Sequence, residues 1–282
     1  MTGWLGGVVR ADVTYNGFGS TTGLTINGNA ATAATGDGTV LRLTPASGGK
    51  AGSAFSTLKV STSEFVSVFS FRITNPGGII VDNNTESGAD GIVFTVQNQA
   101  NNVGGVGLGI GYSGITPSMG VEFDTWGNNA NADPSQSHIG IDFNGSVVHS
   151  AAGQGPTVNI GNTNAGTTAL AGPELDDGNR WWAWVINTGT NVKVYLKMDE
   201  SATEPAQPAT PLLDHNVNLT TVLGGTTAYA GFTAATASAW ENHDMLYWRY
   251  TEAVPEPGSF VLLSASGGLL LLRRRRAAAA SR

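Results

Sequence analysis

The sequence contains no cysteine and has few charged side chains for its length. Only 12% of its 282 residues are charged. Without cysteine, no disulfide can stabilise the chain, and cysteine usage carries no information about the redox compartment. A bound metal ion is the remaining device that could cross-link distant loops.

Basic residues are scarce in the body of the chain. Five of the 14 lysines and arginines, but only one of the 21 acidic residues, follow Val254. Nine basic and twenty acidic residues remain before that point, which gives a net charge of −11. Such a surface repels phosphate backbones, so we expect no nucleic-acid partner. The same part of the chain lacks an apolar run of membrane length and any long amphipathic helix.

Short alternating segments between turn residues predict an all-β protein. The chain has 39 glycines and 11 prolines, a share typical of many short strands joined by tight loops. The clearest hairpin joins residues 180–186 to residues 192–196. Its tryptophans could form a sugar platform, but their alternation favours packing in a core. A chain of this length can bury one large sandwich core.

Ligand-capable residues are concentrated between positions 121 and 142. Glu122 and Asp124 alternate with apolar residues, so a strand would place both carboxylates on one face, roughly 6.7 Å apart. A loop of turn formers carries Asp133, and a second alternating segment begins at His138. Clustered carboxylates repel unless a cation neutralises them. The pattern therefore predicts a metal site, with a solvated polar loop as the alternative.

The ligand types allow two kinds of ion. Carboxylate and amide oxygens suit calcium, whereas carboxylates with one imidazole suit manganese, zinc or another transition ion. We expect the loop at residues 127–137 to depend mainly on the metal for its conformation. His149, His215 and His243 have no comparable carboxylate pattern around them in the sequence, and they receive no role.

This window resembles the metal-binding segment of L-type (legume-type) lectins, in which V-E-F-D-T and an aromatic residue precede Asn, Asp-Pro and H-I-G-I-D. The resemblance implies that a transition ion, Mn²⁺ or another, is held by Glu122, Asp124, Asp133 and His138. It implies that Ca²⁺ is held by Asp124, the carbonyl of Trp126, Asn128 and Asp133. Tryptophan stands where the family usually has Phe or Tyr, which should not matter because only its carbonyl binds.

Three further segments extend the resemblance. Residues 89–94 are similar to the family's A-D-G strand, in which a cis Ala–Asp peptide precedes a sugar-binding Asp. Residues 104–109 are similar to its glycine-rich loop, and residues 231–236 to the strand that leads into its specificity loop. The resemblance implies a concanavalin-like antiparallel β-sandwich (jelly roll) over residues 10–252. The implied carbohydrate-binding residues are Asp90, Gly105, Trp126, Asn128, Ala237 and Ser238.

Residues 253–282 form a separate tail. A Pro-Glu-Pro motif at 254–259 precedes an apolar run at 260–272 and four arginines at 273–276. This order resembles the bacterial PEP-CTERM sorting signal, which implies an exosortase-type processing enzyme as partner and a short transmembrane sorting helix. Thirteen residues cover roughly 20 Å of a core near 30 Å, which suits a transient anchor. An interfacial or buried helix with a basic cap is the alternative.

The expected location is the cell envelope or extracellular matrix after export, with the tail as a temporary anchor. Met1–Arg10 has neither a basic segment nor a long apolar segment, so it does not read as a signal peptide. We therefore expect the start of the sequence to be truncated or misplaced.

The resemblance implies a glycan-binding lectin that requires calcium and a transition metal, and it leaves the oligomeric state open. A concanavalin-fold glycoside hydrolase is the enzymatic alternative, because such enzymes also place carboxylates along one strand. A retaining hydrolase needs an acid and a nucleophile about 5–5.5 Å apart. After Glu122 and Asp124 the strand offers Thr125, Trp126 and Gly127, so the second Glu is missing and we expect no enzyme. A metal-stabilised matrix module without sugar affinity remains a third possibility.

Overall fold

The structure is a computed structural model that describes residues 13–82, 84–105, 107, 109–161 and 170–252. The predicted sorting signal and its transmembrane helix lie outside the described residues. Within those residues, no helix combines the length and apolar character needed to cross a membrane.

Two antiparallel sheets form the domain. The first half of the chain supplies β1 (Val13–Asn16), β2 (Leu24–Gly28), β3 (Ala31–Thr35), β4 (Gly38–Thr44), β5 (Ala51–Ser56), β6 (Val60–Ser61), β7 (Phe65–Gly78), β8 (Gly91–Gln97) and β9 (Ser118–Asp124). The second half supplies β10 (His138–Phe143), β11 (Thr157–Asn159), β12 (Arg180–Asn187), β13 (Asn191–Met198), β14 (Leu213–Asn216), β15 (Thr227–Ala235) and β16 (Ala239–Glu252). A 3₁₀ turn, Asn129–Asn131, and one short helix, α1 (Leu219–Leu223), complete the named elements.

Sheet I has the strand order β14-β13-β12-β7-β16-β4-β3, with β1 also paired to β16. Sheet II has the order β11-β10-β9-β8-β15-β5-β2, with β6 also paired to β15. Neighbours in both sheets are often distant in sequence, as where β16 lies between β7 and β4. The predicted all-β sandwich is therefore confirmed.

Aromatic side chains from both sheets form the centre of the core. Phe69 of β7 packs against Phe94 of β8, Phe123 of β9 and Phe232 of β15, with ring centroids 5.5, 5.6 and 5.0 Å away. All four are at most 1% exposed. Burying a side chain of this size contributes about 1.5–3 kcal/mol, so this cluster anchors the two sheets to each other. It also fixes β8, β9 and β15, which carry the candidate site.

The predicted hairpin is confirmed as β12 and β13, with Trp184 opposite Tyr195. Trp181 faces the main core, whereas Trp182 and Trp184 pack on the opposite face of sheet I in a cluster with Val68 and Tyr195. All three tryptophans are at most 2% exposed. They are packing residues, as their alternation predicted.

Candidate metal centre and adjoining pocket

The register of β9 and β10 brings the predicted ligands together. His138 lies opposite Asp124, and Gly140 lies opposite Glu122. His138 Nε2 is 3.1 Å from Glu122 Oε1 and 4.0 Å from Asp133 Oδ1. His138 Nδ1 is 3.0 Å from the carbonyl oxygen of Ser135, to which it can donate. With an ion bound, that hydrogen bond would leave Nε2 as the lone-pair nitrogen that faces the ion, whereas without one Nε2 can donate to Glu122 Oε1.

The loop after β9 adds Asp133 and positions the predicted calcium ligands. One carboxylate oxygen each of Asp124 and Asp133, together with His138, lies within 4.8 Å of the others. The N–H of Trp126 donates to Asp124 Oδ1 at 2.6 Å, and the N–H of Asn128 donates to Asp133 Oδ2 at 2.6 Å. These two hydrogen bonds hold the backbone of Trp126 and Asn128 beside the carboxylates of Asp124 and Asp133. Asn128 is 5% exposed.

The electrostatics of this group indicate a cation. Burial and then repulsion from Asp133 and Glu122 raise the pKa of Asp124. Burial opposes ionisation of Glu122 too, but hydrogen bonds from His138 and His149 outweigh it and lower the pKa of Glu122. Glu122 Oε2 is buried without a hydrogen-bond partner. A bound cation would coordinate the unpartnered oxygen of Glu122 and reduce the repulsion on Asp124, so the residues fit the predicted ions.

His149, to which the sequence assigned no role, belongs to the same cluster. Its Nε2 lies 2.8 Å from Glu122 Oε1 and 3.3 Å from Asp133 Oδ1. Burial disfavours its charged form, but the hydrogen bonds that its ring donates to Asp133 and Glu122 raise the pKa of His149 to about 10. No local pattern identifies this residue, because it lies in a turn beyond β10 rather than on an alternating strand.

The protein itself restrains the loop at residues 127–137, which corrects the expectation that the loop would depend mainly on the metal. Asn84 makes two hydrogen bonds to Gly127: its Oδ1 accepts from the backbone N–H at 2.7 Å, and its Nδ2 donates to the carbonyl at 3.2 Å. Gln136 accepts from the N–H of Thr85 at 2.7 Å and donates to Glu174 at 2.7 Å. Side chains from two other segments therefore restrain the loop.

A pocket of about 110 Å³ adjoins the metal cluster. Its lining residues are Ile79, Val81, Asp82, Ala89, Asp90, Trp126, Ala237, Ser238 and Ala239. The Ala89–Asp90 peptide is cis, as the resemblance implied. Asp90 is 1% exposed, and its Oδ2 has no hydrogen-bond partner. Burial and, secondarily, the charge of Glu241 raise the pKa of Asp90 to about 7.

The register explains why the pocket and the metal cluster are neighbours. Asp90 immediately precedes β8, and Gly91 of that strand pairs with Asp124 on one side and Ala235 on the other. The N–H of Asp90 donates to the carbonyl of Ala235 at 3.0 Å, and its own carbonyl accepts from the N–H of Thr125 at 3.3 Å. Hydrogen bonds to both neighbouring segments therefore fix the backbone of Asp90, from which its carboxyl projects.

A second buried network of hydrogen bonds supports the start of β8, next to Asp90. The N–H of Gly91 donates to His243 Nε2 at 3.1 Å, so the ring proton of His243 lies on Nδ1, 2.5 Å from Thr44 Oγ1. Burial lowers the pKa of His243 to about 3 and raises the pKa of Glu241 to about 8. Glu241 accepts a hydrogen bond from Thr125. No sequence pattern predicts this network, because it joins residues from four strand ends.

Some of the remaining predicted sugar-binding residues line the pocket, and Gly105 does not. Ala237, Ser238 and Trp126 line the pocket, although Trp126 is only 4% exposed and packs against Ala89 and Ala239. Asn128 Nδ2 is buried without a hydrogen-bond partner. Gly105 does not line the pocket, and its N–H donates to the carbonyl of Gly111 at 3.3 Å. Gly107 approaches instead, because a Cβ atom built there would lie 4.0 Å from Ala237 Cβ.

Comparison with known proteins places this geometry in context. A model of the legume lectin domain matches residues 10–259. The L-type lectin-domain containing receptor kinase VIII.1 of Arabidopsis thaliana is 30% identical over 196 residues, which are 67% of this chain and 24% of that protein. A putative bark agglutinin of Robinia pseudoacacia is 28% identical over 207 residues, which are 69% of this chain and 61% of that protein. The chain thus spans about a quarter of the length of the receptor kinase.

Solved structures share the fold. Basic winged bean lectin, determined with Tn-antigen, is similar with a TM-score of 0.64 and 24% identity, covering 86% of this chain and 98% of that chain. At this identity the likeness concerns the fold alone. The predicted concanavalin-like sandwich is thereby confirmed.

Proposed function

This chain belongs to the legume lectin family, and from that premise we propose that it is a glycan-binding lectin that depends on calcium and a transition ion. Proteins of this family and the lectins of similar structure bind carbohydrate without catalysis, which confirms that the chain is not an enzyme. The glycoside hydrolase alternative is therefore set aside.

The observation that carries the proposal is the state of Asp90. Asp90 is buried and lines the pocket, its backbone is held by hydrogen bonds on both sides, and one oxygen of its carboxyl has no partner. A buried acceptor of this kind is costly unless a ligand supplies the donor. Sugar hydroxyls are donors of suitable size for a pocket of about 110 Å³. Asp90 would thus accept hydrogen bonds from the glycan.

Other groups around Asp90 supply the rest of a sugar site. Asn128 has a buried amide nitrogen without a partner, which would donate to the same sugar. Ile79 and Val81, 46% and 47% exposed, form an apolar rim on which the apolar face of a sugar ring can pack. Trp126 would contribute an edge of its ring rather than its full face, because so little of it is exposed.

The ions would be held as the resemblance implies. Glu122, Asp124, Asp133 and His138 would hold the transition ion, and Asp124, the Trp126 carbonyl, Asn128 and Asp133 would hold calcium. The bound ions would neutralise the repelling carboxylates and fix the oxygens of the loop that begins beside Asp90. Sugar affinity would therefore depend on the ions indirectly, because they would fix the loop beside Asp90 without binding Asp90 itself.

We also propose that the protein is a bacterial exported lectin, displayed on the cell envelope or released into the extracellular matrix. This part rests on the order of the Pro-Glu-Pro motif, the apolar run and the arginines in residues 253–282. An exosortase-type enzyme would process that tail. Glycans of the exopolysaccharide or of cell surfaces would be the partners.

A metal-stabilised matrix module without sugar affinity is the second candidate. The low exposure of Trp126 favours it, because a buried ring offers little area to a sugar. Glycan-array binding with and without EDTA distinguishes the two functions. A lectin gives hits that disappear on chelation and return with Ca²⁺ and Mn²⁺. Binding to no glycan in the ion-loaded state would favour the matrix module.

A further inference from the structure

His149 lies closer to Glu122 and Asp133 than His138 does. Its Nε2 lies 2.8 Å from Glu122 Oε1, compared with 3.1 Å for His138 Nε2. The two Nε2 atoms are themselves 3.1 Å apart, and the ligand atoms of Glu122, His138 and His149 all lie within 4.8 Å of one another. Two imidazole nitrogens therefore converge on one set of carboxylate oxygens.

The surrounding chain is built to hold this ring. The N–H of His149 donates to the carbonyl of Asn131 at 2.9 Å, which ties the turn to the metal-binding loop. Gly140 provides the space on β10: a Cβ atom there would lie 3.0 Å from His149 Cε1 and 2.6 Å from Glu122 Oε1. The His149 side chain is 7% exposed and meets the ring of His138 edge to face, with 5.2 Å between centroids.

Asp142 lies behind the ring. Its Oδ1 is 3.7 Å from His149 Nδ1, and the side chain is fully buried. Neither Nδ1 of His149 nor either oxygen of Asp142 has a hydrogen-bond partner within the described part of the chain. Ligating histidines commonly present the second ring nitrogen to a carboxylate, which fixes the tautomer and directs the other nitrogen at the ion. A small rotation of either side chain would complete that arrangement.

We propose that His149 is an additional protein ligand of the transition ion, oriented by Asp142, and that the second imidazole strengthens the preference of the site for Zn²⁺, Co²⁺ or Ni²⁺ over Mn²⁺. This inference rests on the two-ion part of the proposed function. Imidazole ligands suit the later divalent ions of the first transition row, whereas carboxylate and water ligands suit manganese. A second imidazole beside three carboxylates therefore shifts the selectivity of the site toward these later divalent ions.

The test uses the full-length chain, stripped with EDTA, returned to Ca²⁺ and titrated calorimetrically with Zn²⁺ or Mn²⁺. We expect the parent to bind Zn²⁺ at least about 100-fold more tightly than Mn²⁺. His149→Ala should lose at least about tenfold in Zn²⁺ affinity and less than about threefold in Mn²⁺ affinity, a loss in the range of changes around metal sites. Calcium affinity should stay within about twofold. His215→Ala, which changes a histidine outside the cluster, is the matched control and should bind like the parent.

A spectroscopic measurement on the parent keeps the proposal falsifiable if the variant folds poorly. The Co²⁺-loaded parent should show two strongly shifted exchangeable imidazole N–H resonances, and His149→Ala should retain one. Asp142→Asn should move the His149 resonance and weaken Zn²⁺ binding about tenfold without altering the His138 resonance. A purely structural role for Asp142 would leave both resonances in place.

Two outcomes would overturn the proposal while leaving calcium and sugar binding intact. Equal Zn²⁺ affinity in the parent and His149→Ala, with one shifted resonance in each, would mean that His149 is not a ligand. Transition-ion binding only after removal of His149 would mean that its imidazolium takes the place of the ion. Failure of the parent to bind any ion, calcium included, would instead contradict the proposed function on which the inference rests.

Discussion

Chelation with EDTA should lower the melting temperature of the parent protein. The Asp124→Ala substitution should lower it by the same amount in buffer that contains the ions. An ion present at about 100 times its dissociation constant adds about 2.7 kcal/mol to the free energy of unfolding, so two ions add about 5 kcal/mol. For a domain of this size each kcal/mol corresponds to about 2 °C. EDTA should therefore lower the melting temperature of the parent by about 10 °C.

The structure also sets what remains after chelation. The hydrogen bonds of Asn84 to Gly127 and of Gln136 to Thr85 do not involve the metal ligands, and each contributes about 1 kcal/mol. The apo protein should therefore melt cooperatively with both sheets intact. A broad, non-cooperative transition in EDTA would show that the loop depends on the ions more than these contacts indicate.

Asp124→Ala separates the ion contribution from the protein contribution. In EDTA it loses the hydrogen bond from the Trp126 N–H, about 1 kcal/mol, but it also removes a carboxyl whose pKa burial raises. A raised acid pKa means that ionisation destabilises the fold as the pH rises above the ordinary carboxyl value. In EDTA the variant should therefore melt within about 3 °C of the parent, and its relative stability should improve from pH 4 upward.

With ions present the variant should melt about 10 °C below the parent, because it cannot hold them. Differential scanning calorimetry in EDTA and in Ca²⁺ with Mn²⁺ measures both differences. Asp214→Ala, on the edge strand β14 and 42% exposed at its side chain, is the matched control and should keep the full response to ions. An unchanged midpoint of the parent in EDTA, or a full ion response in Asp124→Ala, would refute the reasoning.

Three further predictions concern the pocket, the ring space and the tail. Asp90→Ala should weaken a glycan hit from the array by about 2–4 kcal/mol in calorimetry while the metal content stays unchanged, because sugar hydroxyls lose a buried acceptor; undiminished affinity would place the sugar elsewhere. Gly140→Ala should lower transition-ion affinity about tenfold but leave calcium affinity unchanged, since its Cβ would crowd Glu122 and His149. A variant that binds the transition ion as tightly as the parent does would contradict this. Deleting the residues after Ala253 should leave a domain that melts within about 2 °C of the full chain, and loss of folding would show that the apolar run belongs to the core.

Several features could be predicted from the sequence because they depend on local periodicity. Alternation placed Glu122 and Asp124 on one face of a strand, and the structure confirms that strand as β9. The restart at His138 was visible for the same reason, as was the hairpin of β12 and β13. Such patterns follow from the two-residue repeat of extended backbone, which neighbouring residues fix among themselves.

The family resemblance added features that periodicity could not supply. The cis Ala89–Asp90 peptide and the approach of Asp90 to Trp126 were implied only by matching residues, and the structure contains both. The contact of Gly105 with a sugar stays a prediction, and in the glycine-rich loop it is Gly107 that approaches Ala237. Repeated glycines offer little to distinguish one register from the next, so a match there carries less information.

What the sequence by itself determined was the class of fold, the ligand-bearing strand pair and the residue types that could hold ions. Only the tertiary structure placed His149 and Asp142 beside Glu122, Asn84 on the metal-binding loop, and His243 under Gly91. These contacts join residues up to 152 positions apart, and they depend on which strands the two sheets set side by side. The physical reason is that alternation decides which face a side chain occupies, whereas packing of the whole chain decides what it meets there.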